Sequence, residues 1–324
     1  MKKILSVLFI IMAFYIMKDV PVNVQAATKA KVVFEFTDGT KKSWETGRPK
    51  IELGKKLAYV YFGSYPQTEI KGKKLTSAIK NAKYNKYGEA TVNGVKYKRI
   101  SKEDAAAVVY SWDPFENPDN PEVNYDWENK KYAYFKFEPI KWKVLSNSKG
   151  KVFLFSACGL DAQQYNNEFA KITWEYSPIR KWISTSFINN AFNSFERKLI
   201  KTAKLVNADS KYYDTEGGND TKDKVFLLSH DDVLNPKYGF SEDAWKEDIK
   251  RQCTITDYAK AMGVYTFNDG HGFYWLRSPE CGANAISIYS GNGHVGNGGS
   301  RDVGYLNFDA VCPALYLNLS SIVK

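Results

Sequence analysis

The sequence predicts an α+β fold, with antiparallel strands at both ends of the chain and helices in the middle. Alternating apolar and polar residues with turn pairs mark strands near the N-terminus, and helix-start signals cluster between residues 177 and 262. Near the C-terminus two apolar segments frame a stretch rich in Gly and Asn. Strands around a helical middle indicate an α+β protein rather than an alternating parallel one.

Residues 1–26 predict an export signal. Two lysines precede an unbroken apolar run, and Val24–Ala26 provides the small-residue pattern of a cleavage site. The run is shorter than the ~20 residues of a membrane span, and an uncleaved N-terminal anchor is the alternative. We therefore expect a secreted, extracellular or cell-surface-associated protein without a transmembrane anchor after cleavage.

The chain has a formal net charge of +10, and its lysines are scattered among Tyr and Asp. This scatter indicates a solvated surface rather than a nucleic-acid groove. A weak attraction to anionic cell-wall polymers is compatible with the charge. We expect no nucleic-acid partner.

After the signal, residues 27–56 predict an N-terminal β-ribbon that turns at Asp38–Gly39, and residues 57–324 predict the main domain. Asn93–Gly94 is a favoured hairpin turn pair within that domain. A further strand pair is predicted on either side of residues 147–150.

Residues 111–130 are rich in Pro and acidic residues, which predicts a loop. Its carboxylates offer the oxygen ligands that calcium prefers, but their order does not match the helix-loop-helix calcium pattern. A solvated insertion is the alternative and fits the mismatch better, so no cofactor is predicted and calcium is kept as a candidate. The carboxylates are those of Asp113, Glu116, Asp119, Glu122 and Asp126.

Four helices are expected in the middle of the chain, from cap signals. The signals are Ser177–Pro178, Asn193 with Glu196 for a helix from Phe195 to about Leu205, Ser229 with Asp232, and Thr256–Met262 closed by Gly263.

The segment Tyr274–Leu319 predicts strand, long polar loop, strand. Loops held by strands are a common way to build a recognition surface. Residues 291–296 match G-x-G-x-x-G, but the following Asn-Gly-Gly-Ser cannot open the helix that a dinucleotide site requires. The match is therefore assigned to chance.

Aromatic residues are abundant, and several lie in polar contexts where a ring can stack on a sugar face or simply pack. These are Tyr84, Tyr87, Tyr212, Tyr213, Tyr289 and Tyr305. The sequence carries no G-x-S-x-G, catalytic-Cys or P-loop signature. Its histidines, His230, His271 and His294, lack a metal-ligand spacing.

Four cysteines follow the predicted signal: Cys158, Cys253, Cys281 and Cys312. In an exported protein they can form disulfides. Cys281 and Cys312 flank the strands around the Gly-rich loop and are the disulfide candidate. Buried free thiols are the alternative.

Several segments, taken in order over residues 57–320, resemble the domain of unknown function 6273 family. They are FGSYPQTEI (62–70), EPIKWKVL (138–145), TWEYSPIRKWI (173–183), GGNDTKDKVFLLS (217–229), ITDYAKAMG (255–263), YWLRSP (274–279) and PALYLNL (313–319). The resemblance implies an exported protein of Gram-positive bacteria. The family is in turn remotely similar to the C-type-lectin-like fold of formylglycine-generating enzymes.

The chain departs from these relatives in its motifs. The Cys-containing signature of formylglycine-generating enzymes and the calcium–sugar motifs of animal lectins are absent. Cys312 stands where the family resemblance leads us to expect Arg before Pro-Ala-Leu, which favours the Cys281–Cys312 pair.

The family has no established activity, so the resemblance implies a fold and a location rather than a reaction. Our hypothesis is a non-catalytic binding module for a glycan, a cell-wall polymer or a surface protein. In lectin-like folds the loops near the C-terminus form the ligand face, so the expected ligand-binding residues are Tyr289, Asn292, His294, Asn297, Arg301 and Arg277. The alternatives are an enzyme of the sulfatase-modifying type, with a Cys pair and copper, and a structural envelope protein.

Overall fold

The computed structural model describes residues 29–109, 125–148, 150–267, 269–302 and 309–324. Over this part of the chain, strands account for 39% and helices for 17%. The prediction of an α+β, C-type-lectin-like arrangement with central helices is therefore wrong, and the protein is mostly β with large antiparallel sheets. The helices are short, and strands intervene between them.

The described strands are β1 Lys31–Phe36, β2 Lys41–Glu45, β3 Leu57–Glu69, β4 Glu89–Val92, β5 Val95–Ser101, β6 Tyr132–Ser148, β7 Lys151–Ser156, β8 Cys158–Gly159, β9 Asp161–Ala162, β10 Ile200–Lys201, β11 Ala203–Leu205, β12 Thr221–Asp223, β13 Val225–Phe226, β14 Thr254–Ile255, β15 Phe273–Pro279, β16 Asn284–Tyr289, β17 His294–Asp302, β18 Asp309–Val311 and β19 Ala314–Asn318.

The first large sheet has the strand order β10-β19-β7-β6-β3-β1-β2, with β13 paired to β19 and the β4–β5 hairpin joined to β6. The predicted hairpins at Asp38–Gly39 and Asn93–Gly94 are confirmed as β1–β2 and β4–β5. The β6–β7 pair around residues 147–150 is confirmed too. Because β1 also pairs with β3, the N-terminal ribbon continues the main sheet.

The second large sheet has the order β17-β16-β15-β18-β9. Within it β15 and β18 run parallel, while the other neighbours are antiparallel. The stretch predicted as one long polar loop instead makes a short turn after β16 and returns as β17. No helix follows the G-x-G-x-x-G match there, as expected.

The described α-helices are α1 Ser77–Lys80, α2 Lys102–Val109, α3 Pro178–Trp182, α4 Ile188–Ala191, α5 Ser194–Leu199, α6 His230–Val233 and α7 Asp257–Ala261. A π-helical stretch, Ile183–Phe187, joins α3 to α4, and 3₁₀ turns occupy Gly72–Lys74, Trp174–Tyr176 and Pro236–Tyr238.

The four predicted helix starts are confirmed. Ser177 caps α3 with Pro178 as its first residue, and Thr256 caps α7. Asn193 with Glu196, and Ser229 with Asp232, form capping boxes in which each side chain accepts a hydrogen bond from the other residue's backbone N–H.

The predicted end of the second helix is wrong. The helix α5 stops at Leu199, and the residues expected to extend it to Leu205 form β10 and β11. Ile200 and Lys201 pair with Leu317 and Tyr316 of β19. Tertiary pairing with the last strand therefore overrides the local helical pattern.

One hydrophobic cluster extends through both large sheets and the short helices. Trp142, Trp174 and Trp275 are fully buried within it. The indole N–H groups of Trp142 and Trp275 donate to the backbone carbonyls of Phe62 and Gln163, at 2.8 and 2.9 Å. This core fixes the two sheets against each other.

The predicted export signal, 1–26, and most of the carboxylate-rich loop, 111–130, lie outside the described residues. A search of the described helices found no apolar helix of membrane-spanning length.

Candidate functional site

The predicted ligand face is divided between two ends of the second sheet. Tyr289 pairs with His294 at the β16–β17 turn, with Asn292 between them. Arg277 lies further along β15, beyond the residues that pair with Ile288 and Ser287. The structure therefore brings Tyr289, Asn292 and His294 together and leaves Arg277 elsewhere.

At the turn, the predicted residues are largely engaged by the protein. Tyr289 packs its ring against Phe267 and Phe273, with centroid distances of 5.0 and 5.4 Å. Oδ1 of Asn292 accepts from the backbone N–H of His294 at 2.9 Å. Burial raises the pKa of Tyr289, which keeps its hydroxyl protonated. These contacts hold the hairpin in place.

A neighbouring loop, residues 241–251, covers part of the same turn. The backbone N–H of Asp248 donates to the carbonyl of Asn292, and Trp245 places its ring 6.2 Å from that of His294. Arg251 is fully buried and donates to the carbonyls of Asp243 and Lys246. Trp245 itself is 52% exposed, so it is the more accessible aromatic ring here.

Asn297 and Arg301 belong to β17, but their side chains lie outside what the structure describes. The backbone of Arg301 pairs with Ala285, and the register shifts between Ile286 and Ile288. Arg301 is thus separated from the Asn292 turn along the strand.

Arg277 is a buried residue that joins three segments. Its Nη1 donates to the carbonyl of Leu227 and to Oδ2 of Asp232, at 2.8 and 2.7 Å, and Nη2 contacts the carbonyl of Val206 at 3.4 Å. These bonds place its guanidinium in the wall of a cleft.

The cleft has a volume of about 260 Å³, near the lower end of the ~300–1,000 Å³ of small-molecule pockets. It lies where the two large sheets meet. The residues that line it include Phe153, Lys204, Asp209, Ser210, Lys211, Tyr212, Phe226, His230, Asp231, Asp232, Tyr238, Arg277 and Tyr316.

Aromatic rings line one side of the cleft. Phe153 of β7 stacks on Tyr316 of β19, with a centroid distance of 4.4 Å and an angle of 16° between the rings. Tyr238 meets Phe153 edge-on, with a centroid distance of 5.0 Å. Burial raises the pKa of Tyr238 and of Tyr316, so both hydroxyls stay protonated at neutral pH.

The charges at the cleft pair with one another. Nζ of Lys211 lies 2.5 Å from Oδ1 of Asp231, and Arg277 pairs with Asp232. Burial acts to raise the pKa of Asp231, but its hydrogen bond and ion pair with Lys211 prevail and lower it. The surface therefore presents polar groups with little net charge.

Three buried polar atoms in the cleft have no hydrogen-bond partner among the described residues. They are Nε of Arg277, Nδ1 of His230 and Oγ of Ser210. Nδ1 of His230 is 3.8 Å from Asp231, which is too long for a hydrogen bond. Burial and the charge of Lys211 lower the pKa of His230, which favours the neutral ring. Such atoms offer hydrogen bonds to a bound molecule.

Tyr212 stands at the rim. Its side chain is 65% exposed, and its ring meets that of His230 edge-on at a centroid distance of 5.7 Å. The neighbouring Tyr213 is exposed as well. An exposed ring beside unpaired donors is suited to stacking on a flat polar ligand.

All four cysteines have free thiols in the structure. The Sγ atoms of Cys312 and Cys253 are 3.3 Å apart, which is a pair that the sequence did not indicate. Sγ of Cys281 lies beside the amide nitrogen of Asn284 instead, at 3.7 Å. The Cys281–Cys312 disulfide stays a prediction.

The described residues provide no geometry for the candidate calcium site or for any other metal site. Within the described ranges, no group of three or more His, Cys, Asp or Glu side chains could hold a metal ion. Asp126 is the one member of the predicted calcium set that the structure describes, and it lies 4.0 Å from Lys130.

Sequence reasoning pointed to Arg277 but missed most of the cleft. Of the other lining residues, the sequence indicates Tyr212 as an aromatic residue in a polar context and Asp232 as part of a helix start. No sequence spacing joins them to Tyr316, because the cleft forms only when β19 returns to the first sheet. The signal that was present is the closeness of all these residues to the segments GGNDTKDKVFLLS, YWLRSP and PALYLNL.

Neither the curated proteins nor the solved structures contain a match to this chain. A comparison with protein families matched residues 149–319 to the domain of unknown function (DUF6273). This range is shorter than the 57–320 expected from the resemblance, and it excludes β1–β6. It covers more than half of the chain and contains every cleft residue named above. The chain therefore belongs to the DUF6273 family.

Proposed function

We propose that this protein is an exported, non-catalytic binding module whose cleft takes one sugar unit of a glycan or cell-wall polymer. The supporting observation is the set of three unpartnered polar atoms in an aromatic-walled cleft whose charges are internally paired. Sugars offer many hydroxyls, flat apolar faces and, in neutral units, no charge. An exposed ring, hydrogen-bond donors and low net charge suit that chemistry.

The carboxylates of the cleft favour binding over hydrolysis. Asp231 pairs with Lys211, Asp232 caps α6 and holds Arg277, and Asp209 accepts from the backbone N–H of Gly217 at 2.9 Å. Glycoside hydrolysis needs an acid and a second carboxylate available to the sugar. Each of these three groups is already committed to the protein.

The enzyme alternative from the sequence required Cys281 and Cys312 to lie together. Cys312 instead contacts Cys253, and both are buried. The Cys253–Cys312 contact therefore supports the binding module over this alternative.

The test is a glycan array with peptidoglycan and teichoic-acid fragments, probed with and without calcium, followed by calorimetric titration of any sugar that binds. Tyr212→Ala is expected to weaken binding about fivefold, since aromatic contacts of this kind contribute roughly 1 kcal/mol. Tyr176→Ala is the matched control, because Tyr176 is 69% exposed and is not among the residues lining the cleft.

Two alanine variants distinguish the cleft from the β16–β17 turn as the binding surface. Loss of binding in Tyr212→Ala but not in Trp245→Ala supports the cleft. Loss in Trp245→Ala alone would move the site to the β16–β17 turn, where Tyr289, Asn292 and His294 lie. A blank array would contradict sugar binding and favour a surface protein or an envelope role.

A further inference from the structure

Cys253 and Cys312 lie in a part of the molecule that the cleft does not use. Cys253 lies two residues after the 241–251 loop and directly before β14, and Cys312 lies in the connection from β18 to β19. Their sulfurs are 3.3 Å apart and both side chains are buried. A disulfide bond is ~2.05 Å long, so the sulfurs need to approach by only about 1.3 Å.

The other two cysteines have different neighbours. Sγ of Cys158 lies 3.6 Å from the hydroxyl of Thr254, in the parallel pair β8–β14. Sγ of Cys281 lies 3.7 Å from the amide nitrogen of Asn284. Of the four thiols, Cys253 and Cys312 are therefore the two whose contact is sulfur to sulfur.

Both members of the pair are held by ordered backbone. The buried Arg251 fixes the loop before Cys253 by donating to the carbonyls of Asp243 and Lys246. Cys312 sits between strands that pair with β15 and with β7. Folding itself brings the two sulfurs together. The reaction between them therefore requires little further loss of conformational entropy.

A cation lies close to the pair. Nζ of Lys143 donates to the carbonyls of Lys250, at 2.9 Å, and of Gln252. Burial acts to raise the pKa of Cys253, but the hydrogen bond with Cys312 and the charge of Lys143 prevail and lower it. The thiolate is the attacking form in thiol–disulfide exchange, so Cys253 is the better nucleophile of the two.

We propose that Cys253 and Cys312 form a disulfide when the protein folds in an oxidising compartment. The Cys253 thiolate attacks a disulfide R–S–S–R, such as that of an exported thiol oxidoreductase, and releases one RS⁻. Cys312 then attacks the mixed disulfide, which forms the Cys253–Cys312 bond and releases the second RS⁻. The two thiol protons pass to the leaving thiolates, so two cysteines are oxidised and one disulfide is reduced to two thiols.

The bond fastens the 241–251 loop to the connection between the two large sheets. Because both sulfurs are buried in the native state, the exchange takes place while folding brings them together, and the finished bond then resists reductants that act on the native protein. Cys158 and Cys281 remain thiols.

The test is thiol mapping of the purified full chain after refolding with oxidised glutathione. Alkylation in denaturant followed by proteolysis and mass spectrometry should find Cys158 and Cys281 modified and a peptide linked through Cys253 and Cys312. Four alkylated cysteines would overturn the proposal, and so would a link from Cys312 to Cys281 or from Cys253 to Cys158.

Stability gives a second readout. Reduction in denaturant and refolding under reducing conditions should lower Tm by about 10 °C, the size expected for a bond that closes a loop of this length. The variant with Cys158→Ser and Cys281→Ser is the matched control and should keep both the bond and the redox-dependent shift. Sugar binding is not needed for either measurement, so the proposal can fail without affecting the proposed function.

Discussion

Arg180 and Asp223 join the two family segments TWEYSPIRKWI and GGNDTKDKVFLLS. Nε and Nη2 of Arg180 both lie 2.9 Å from Oδ1 of Asp223. The other oxygen of Asp223 accepts from Trp174 at 3.2 Å and from Thr221 at 2.7 Å. A single buried carboxylate thus holds α3, a 3₁₀ turn and β12 together.

Asp223→Ala should lower the free energy of unfolding by about 3 kcal/mol, because it leaves the guanidinium and the buried indole N–H without their acceptor. Asp220→Ala is the control, since Asp220 forms an exposed pair with Lys204 at 3.5 Å and such pairs contribute ~0–1 kcal/mol. Urea unfolding of both variants measures the difference. Equal losses would contradict the role assigned to Asp223.

Gly63 lies in β3 at a φ of +68°, beside the end of α4. A Cβ at this position would overlap the ring of Phe192 and approach the carbonyl of Ala191 at 2.9 Å. Gly63→Ala should therefore lower the free energy of unfolding by roughly 3 kcal/mol, because backbone strain and overpacking act together.

Gly54→Ala separates these two causes. Gly54 has a φ of +67°, but a Cβ there would meet nothing within 4 Å. Gly54→Ala should therefore lower the free energy of unfolding only by the backbone strain, about 1 kcal/mol. If both variants unfold at the same urea concentration, the packing of Phe192 against β3 contributes nothing.

Asp161 makes the stability depend on pH. It is buried, Tyr65 donates its hydroxyl to Oδ2, and the backbone N–H of Ala162 donates to Oδ1 at 2.8 Å. Burial raises the pKa of Asp161 to about 6, although these hydrogen bonds and the charge of Lys98 act the other way. An acid with a raised pKa in the folded state destabilises the fold once it ionises.

The contribution of Asp161 to the free energy of unfolding is thus most favourable below the pKa of the unfolded state, ~3.9, and declines as pH rises to about 6. Over this range the free energy of unfolding falls by roughly 3 kcal/mol. Asp161→Asn removes this titration. The stability of the variant to urea should therefore rise relative to that of the wild type between pH 4 and pH 7. Asp126→Asn changes an exposed carboxylate and should keep the wild-type trend. A wild-type trend in Asp161→Asn would refute the assignment.

Asn193 caps α5 with a capping box. Its Oδ1 accepts from the backbone N–H groups of Phe195 and Glu196, each at 3.0 Å. Asn193→Ala should lower the free energy of unfolding by about 1 kcal/mol, while Asn193→Ser keeps an acceptor and should cost much less. Thermal unfolding distinguishes the two, and an equal shift in Tm would argue against the cap.

The helix caps and the tight hairpins could be predicted from the sequence because they depend on residues a few positions apart. The Asn193–Glu196 and Asn93–Gly94 signals are of this kind. The fold class could not be predicted in the same way. Short strands such as β10 and β13 form because β19 pairs with them. The local sequence of such a strand does not indicate which distant strand will be its partner.

The candidate site shows the same division. Arg277 was predicted, but for a loop surface rather than for a cleft wall. The partners that define its role, Asp232 and the carbonyl of Leu227, are 45 and 50 residues away in the sequence. The Cys253–Cys312 contact spans 59 residues and depends on a parallel register that no turn signal reveals.

The position of β19 has a consequence for how the protein is made. This strand is synthesised after all the other described strands, yet it lies between β7 and β10 and also pairs with β13. Until residues 314–318 have left the ribosome, β7 presents an open edge that is prone to pair with another chain. A shortage of chaperones, or a truncation that removes residues 314–318, should therefore lower the yield of folded protein far more than the loss of five residues suggests.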